Sequence, residues 1–397
     1  MVQDFIHFNP FKMSAWQPLS YFSASAFLSL VALQSQQTYR PFLLILVVTL
    51  GVLAFNRIPD LTSDLSISSS IGLFVFIWLL HITCVLCVEQ HVSLSWTAAY
   101  KMLFNPRRIV DDSQRDVKKT KDDTAAAEKK SSDAVAHTKA TSSQSHSKFL
   151  VKQLILALTL YTIRHFYYKS FTPYILTNLL QQLPHSTPLS TLTVYIRRIP
   201  YITLPETLLR IFIVIDFVLS TYLLNNLFHA IFSITFVSLL RLDSPTDWPP
   251  LFGSLSTTYS LRAFWSRFWH RLVARTYLSY SSLLTLKLFR IDPRSTPGRL
   301  LVAFLIFFLS GMAHAVVTWR IGFRCGWWQD LWWFCANFAG IQVEEVVKVV
   351  AKAVLGKKVL RGLPGLERAV GYAWTWGFLF WSLPKLQYPK MMCGVGM

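Results

Sequence analysis

Residues 300–319, "LLVAFLIFFLSGMAHAVVTW", run for twenty positions without a Lys, Arg, Asp or Glu. A helix in a soluble fold keeps a polar face toward water, and this run has none. Its length matches the roughly 20 residues that a helix needs to cross a bilayer. Further apolar runs cover 19–34, 41–55, 70–88, 151–163, 207–240, 327–350 and 369–383. The stretch 211–240 carries one carboxylate and no Lys or Arg, too long for a single upright crossing. It predicts either a strongly tilted helix or two segments divided near Asn225–Asn226. The expectation is an all-α, polytopic transmembrane helical bundle with about seven to nine spans.

Composition agrees. Of the 397 residues 53% are hydrophobic and only 15% charged, against roughly 25% charged in soluble proteins. The 39 basic and 20 acidic residues give a net charge of +19. In a soluble chain that excess would suggest nucleic acid. Here the Lys and Arg fall between apolar runs, which points to cytosolic loops and lipid headgroups, so no nucleic-acid partner is expected. No cleavable signal peptide is expected, because the first twenty residues lack a basic stretch leading into an apolar core. Five scattered cysteines do not make a disulfide framework. Cys84 and Cys87 read as small residues on an apolar helix rather than a metal site, and no metal is expected.

Residues 105–149 contrast with their surroundings. They are rich in Lys, Asp, Ser, Thr and Ala and have no aromatic residue before Phe149, so they predict a disordered, charged cytosolic linker. Within it "DDSQRD" faintly resembles a magnesium-holding acidic motif, but its interleaved basic residues read better as a solvated charge run. The chain thus divides into N-terminal transmembrane helices (1–104), the linker (105–149) and a C-terminal transmembrane region (150–397) expected to carry the chemistry. No internal repeat is evident, which weakens a transporter reading.

Placed on one helix over 262–276, Arg267, Arg271 and Arg275 share a narrow arc beside Trp265, Phe268, Trp269 and Leu272, with His270 off both. Such a helix suits a membrane surface. The same arginines suit an anionic ligand such as coenzyme A, and composition leaves the two open. Just upstream, "RLDSPTDWPPLFGSLSTTYSLRAFW" is turn-rich, and irregular backbone at membrane depth needs a protein cavity around it. His314 stands inside the uncharged run, where an ionisable group usually faces a cavity or polar path. Ser310 and Gly311 precede it on the same face and leave room for close approach. A neutral imidazole there could take a proton from an attacking alcohol. Asp216 reads as a pairing residue. His81, His165 and His229 do not form a di-iron box, and no nucleophile elbow, P-loop or zinc spacing is present.

The segment "DSPTDWPPLFGSL…YSLRAFWSRFWHRL" and the later "FLSGMAHAV" resemble, in this order, the signature of wax-synthase-like proteins of filamentous fungi, within the membrane-bound O-acyltransferase superfamily. The likeness covers about 200–385. It implies a helical bundle with an internal tunnel, acyl-CoA arriving from the cytosol and a lipophilic alcohol acceptor from the bilayer. It implies acetyl-CoA as cosubstrate, no permanently bound cofactor, and a terpenoid or meroterpenoid hydroxyl as acceptor, in a multi-pass protein of the endoplasmic reticulum. His314 matches the family's catalytic histidine. His270 occupies a second polar position, Asn in distant branches, where it could orient the thioester, polarise its carbonyl or bind the cosubstrate. Arg262, Arg267, Arg271, Trp265 and Trp269 are the candidate cosubstrate contacts. The alternatives are a long-chain wax ester or sterol ester synthase, and, outside enzymes, a transporter or membrane scaffold.

Overall fold

The computed structural model describes residues 16–62, 64–89, 94–104, 146–183, 191–362 and 364–394. Among them all regular structure is helical. The N-terminal group comprises α1 (Gln17–Gln34), α2 (Arg40–Asn56), α3 (Leu65–Thr83) and α4 (Trp96–Phe104). Then come α5 (His146–Phe166), α6 (Thr172–Gln181), α7 (Leu204–Ser233), α8 (Ala274–Lys287), α9 (Thr296–Arg320), α10 (Trp328–Gly362) and α11 (Pro364–Gly394). The linker expected over 105–149 lies outside the described residues up to 145, "DDSQRD" included, and α5 already begins at His146.

Among the described residues four segments are long and apolar enough, by length and composition, to cross a membrane: Leu65–Val88, His146–Gln181, Leu204–Leu239 and Thr296–Arg320. This is a membrane protein. The remaining apolar runs among the expected seven to nine spans also form helices, and each has a reason to fall short. The helix α1 mixes in Ser and Gln, and α2 has only 17 residues. In α10 stand Glu344, Glu345, Lys348 and Lys352; in α11 stand Glu367, Arg368, Lys385, Lys390 and the interior prolines Pro384 and Pro389. The long run 207–240 stays one helix through Asn225–Asn226 and ends in a π turn, Ile234–Leu239.

Local chemistry sets the helix starts. Asp64 accepts from Ser66 N at 2.9 Å and Ile67 N at 3.0 Å, capping α3. Ser295 accepts from Gly298 N at 3.1 Å, and Pro297 fits the first turn of α9, where a missing N–H costs nothing. Cys84 and Cys87 lie in the π turn that extends α3. Cys325, between α9 and α10, is disulfide-bonded, a bond the scattered cysteines do not announce.

Among the described residues two large apolar cores result, beside a small cluster of Ala54, Ile58 and Val75. One gathers α1 to α4 around Leu33, Trp78 and Ile82. The larger joins α7, α10 and α11 to the segment 251–269 through Phe264, Phe268, Trp269, Trp333 and Leu383. Polar contacts tie the two groups. His81 Nδ1 lies 3.1 Å from Thr276 Oγ1 and its Nε2 2.9 Å from Met102 O, and Thr83 bonds the Tyr280 hydroxyl at 2.6 Å. Tyr100 donates to Asp243 at 3.1 Å, and Trp248 Nε1 donates to the same oxygen at 3.0 Å. Burial, with the Asp243 charge and this bond, pushes the Tyr100 phenol up. His81 is thus a satisfied structural histidine. Asp216 accepts from the Tyr167 hydroxyl at 3.0 Å, the pairing role expected of it.

Candidate active site

The single helix expected over 262–276 does not form. A short helix, Leu261–Ala263, runs into a π turn, Phe264–Phe268, closed by Trp269 N donating to Phe264 O at 2.8 Å. Trp269 is then extended, with φ −68° and ψ 147°, and helix resumes only at Ala274. The reason is competition for hydrogen bonds. Gly253 N donates to Phe268 O at 2.9 Å, so the turn-rich segment takes the carbonyl a continuing helix would use. A β-carbon on Gly253 would sit 2.1 Å from Arg267 O, so only glycine permits this approach. The irregular segment is therefore packed against protein.

Three buried acceptors fix the turn, two of them from α10. Glu344 Oε2 accepts from Leu261 N at 2.7 Å, and Ser260 Oγ accepts from Ala263 N at 2.9 Å at the same start. Asn337, fully buried, accepts from Trp265 Nε1 at 3.0 Å and donates to Trp333 O at 2.8 Å. Phe217 of α7 stacks on Trp269, with ring centroids 5.4 Å apart and planes 4° apart.

This packing joins the two sequence-predicted histidines through one aromatic chain. His270 lies 5.5 Å from Trp269, Trp269 5.6 Å from Trp265, Trp265 5.8 Å from Phe334, and Phe334 4.9 Å from His314, all between centroids. His270 also meets Phe252 edge-on at 5.6 Å. His314 is half-buried in α9. Gly311, one turn earlier, lets α10 close in: a β-carbon there would lie 2.9 Å from Leu331 Cα and 3.0 Å from Phe334 Cβ. One turn later Thr318 Oγ1 donates to Asp330 Oδ2 at 2.7 Å, and Lys390 Nζ holds Asp330 Oδ1 at 2.7 Å. This pair is near enough to act on the imidazole electrostatically.

The helix that would align the arginines is interrupted between Phe268 and Ala274. Arg262 Nη1 lies 3.7 Å from Glu345, Arg267 makes a long 3.5 Å bond to the Tyr259 hydroxyl, and Arg271 is exposed in the turn after His270. They sit at the exposed edge of the motif, with Trp265 and Trp269 inside it. Sequence reasoning missed Asp330, Asn337, Glu344 and Lys390. The first three lie in the apolar run 327–350, where the cost of an intramembrane carboxylate or amide would have flagged them; Lys390 gave no such signal. Among the described residues no group of three His, Cys, Asp or Glu could hold a metal ion.

A family model, the membrane bound O-acyl transferase family, matches residues 248–336, the segment holding both histidines. The chain is 33% identical over 150 residues to acetyltransferase ataH of Aspergillus terreus, covering 38% of this chain and 48% of that protein. It is 32% identical over 158 residues to acetyltransferase ple2 of Rhodocybe pseudopiperita, covering 38% of this chain and 40% of that one. Against acetyltransferase atnC of an Arthrinium species the figures are 30% over 175 residues, 44% and 39%. The matched region spans less than half the length of these relatives. No solved structure matches the chain.

Proposed function

We propose that this membrane protein, which carries a membrane bound O-acyl transferase segment, is an acetyl-CoA-dependent O-acetyltransferase acting on a hydroxyl of a lipophilic terpenoid or meroterpenoid. The observation that carries the reading is the run of ring contacts from His314 through Phe334, Trp265 and Trp269 to His270 inside that matched segment. The relatives' shared name, acetyltransferase, favours the acetyl donor.

In this reading His314 takes the proton from the acceptor hydroxyl as its oxygen attacks the thioester carbonyl carbon. The tetrahedral oxyanion collapses, the C–S bond breaks, and the imidazolium returns its proton to the departing thiolate. The products are the acetate ester and free coenzyme A. Transfer is direct, with no covalent enzyme intermediate. His270, rimmed by Phe252 and Trp269, orients the thioester or polarises its carbonyl. Arg262, Arg267 and Arg271, at the exposed edge, meet the cosubstrate's phosphates. An apolar enclosure keeps water from hydrolysing the thioester. The protein then sits in the endoplasmic reticulum as a multi-pass enzyme.

Membranes carrying the chain, given labelled acetyl-CoA or palmitoyl-CoA with a panel of terpenoid alcohols, test this. Acetyl ester formed in preference to palmitoyl ester is expected. Palmitoyl transfer alone would favour the wax or sterol ester reading, and no turnover of either thioester would overturn acyl transfer altogether.

A further inference from the structure

The other face of α10 borders a cleft. Trp328, Gln329 and Trp332 line this cleft of 570 Å³, together with Trp381 and Lys385 of α11 and Arg197 from the segment before α7. Asp330 lies about 200° round the helix from Trp328, and it and Phe334 belong to the His314 side. The cleft is therefore apart from the candidate active site.

Its charge is unbalanced. Lys385 Nζ lies 3.8 Å from the Trp381 ring centroid and 5.8 Å from that of Trp332. Among the described residues no carboxylate pairs with Lys385 or Arg197. Behind the wall Arg210 is fully buried, its guanidinium 4.3 Å from the Tyr195 ring centroid, and both Arg210 and Arg197 act electrostatically on Lys385. The carboxylate of this group, Glu206, is engaged by Arg198 at 3.2 Å and lies 3.9 Å from Arg210. Arg197 and Lys385, the two cations that line the cleft, thus have no carboxylate partner among the described residues, a field that draws an anion into the cleft.

The surroundings identify the source of that anion. From the rim, Ile196, Ile199, Tyr201 and Leu204 are 60%, 62%, 79% and 70% exposed, an apolar strip leading onto the candidate span of α7. A soluble phosphate ester has no use for such a strip, whereas acyl chains cover it. We propose that the cleft binds the headgroup phosphate of an anionic membrane phospholipid, held by Arg197 and Lys385, with its acyl chains lying along residues 196–204.

The proposal is independent of acyl transfer, because its test reads lipid binding. The full chain is reconstituted in vesicles of phosphatidylcholine alone or with equimolar phosphatidylserine, extracted in mild detergent, and its retained lipids counted by native mass spectrometry. Phosphatidylserine should be retained in preference. Lys385→Gln with Arg197→Gln should weaken retention by about tenfold or more, given charge-assisted phosphate contacts. Lys385→Arg, which keeps the charge, should preserve it, as should Lys287→Gln on the exposed end of α8. Equal retention of both lipids would overturn the proposal, as would an unchanged preference in the double variant. So would loss of retention in Lys385→Arg, or displacement by inorganic phosphate, which would assign the cleft to a soluble ligand.

Discussion

Gly311 controls how closely α9 and α10 approach beside His314. With Leu331 Cα at 2.9 Å from the position of an added β-carbon, backbone rather than a flexible side chain would have to move. Gly311→Val should therefore destabilise the protein by about 1–3 kcal/mol, and a thermal melt in detergent should fall accordingly. Activity should fall further than stability, because the Phe334 contact with the imidazole shifts with α10. At this scale the sequence was informative for a physical reason. An ionisable side chain in an uncharged run is costly, and glycine one turn away marks a close contact, so His314 and Gly311 could both be read. Gly253 could not be read so fully. Its need for glycine arises from Arg267 O, fourteen residues later, and only once the π turn has formed.

At the scale of elements, the motif is a π turn held from α10, where periodicity alone predicts a continuous amphipathic helix. The arginine spacing is genuine, but spacing does not reveal that Phe268 O is committed to Gly253 N. Nor does it reveal that Trp265 and Trp269 are drawn inward by Asn337 and Phe217. Glu344 is the anchor of this arrangement, since its Oε2 caps Leu261 N in a buried setting. Glu344→Ala should leave that N–H unsatisfied, costing about 1–3 kcal/mol, and should lower acetyl transfer by displacing Trp265. Glu344→Gln, which still offers an oxygen, should recover most of the loss. Denaturation midpoints and initial rates measured on the same preparations separate the two effects. If the Gln variant behaves as Ala does, the charge pairing with Lys348, 2.5 Å away, is what matters instead.

Across the whole molecule, the N-terminal helices grip both flanks of the motif: Tyr100 holds Asp243 ahead of it, and His81 and Thr83 hold α8 behind it. The division into an N-terminal group and a larger C-terminal region follows from the contrast in composition, but this grip does not, because it depends on side chains far apart in the chain. The Thr318–Asp330–Lys390 contacts likewise pin α9, α10 and α11 together one turn from His314. In the proposed reaction the imidazole held by this framework is the base. The decisive measurement is the turnover number for acetyl transfer by His314→Gln, with acetyl-CoA binding followed in parallel. Gln keeps a hydrogen bond and most of the volume but cannot accept the proton. Turnover should fall by about 10²–10⁴-fold while acetyl-CoA still binds. Near-normal turnover would contradict the account and leave His314 an orienting or structural residue.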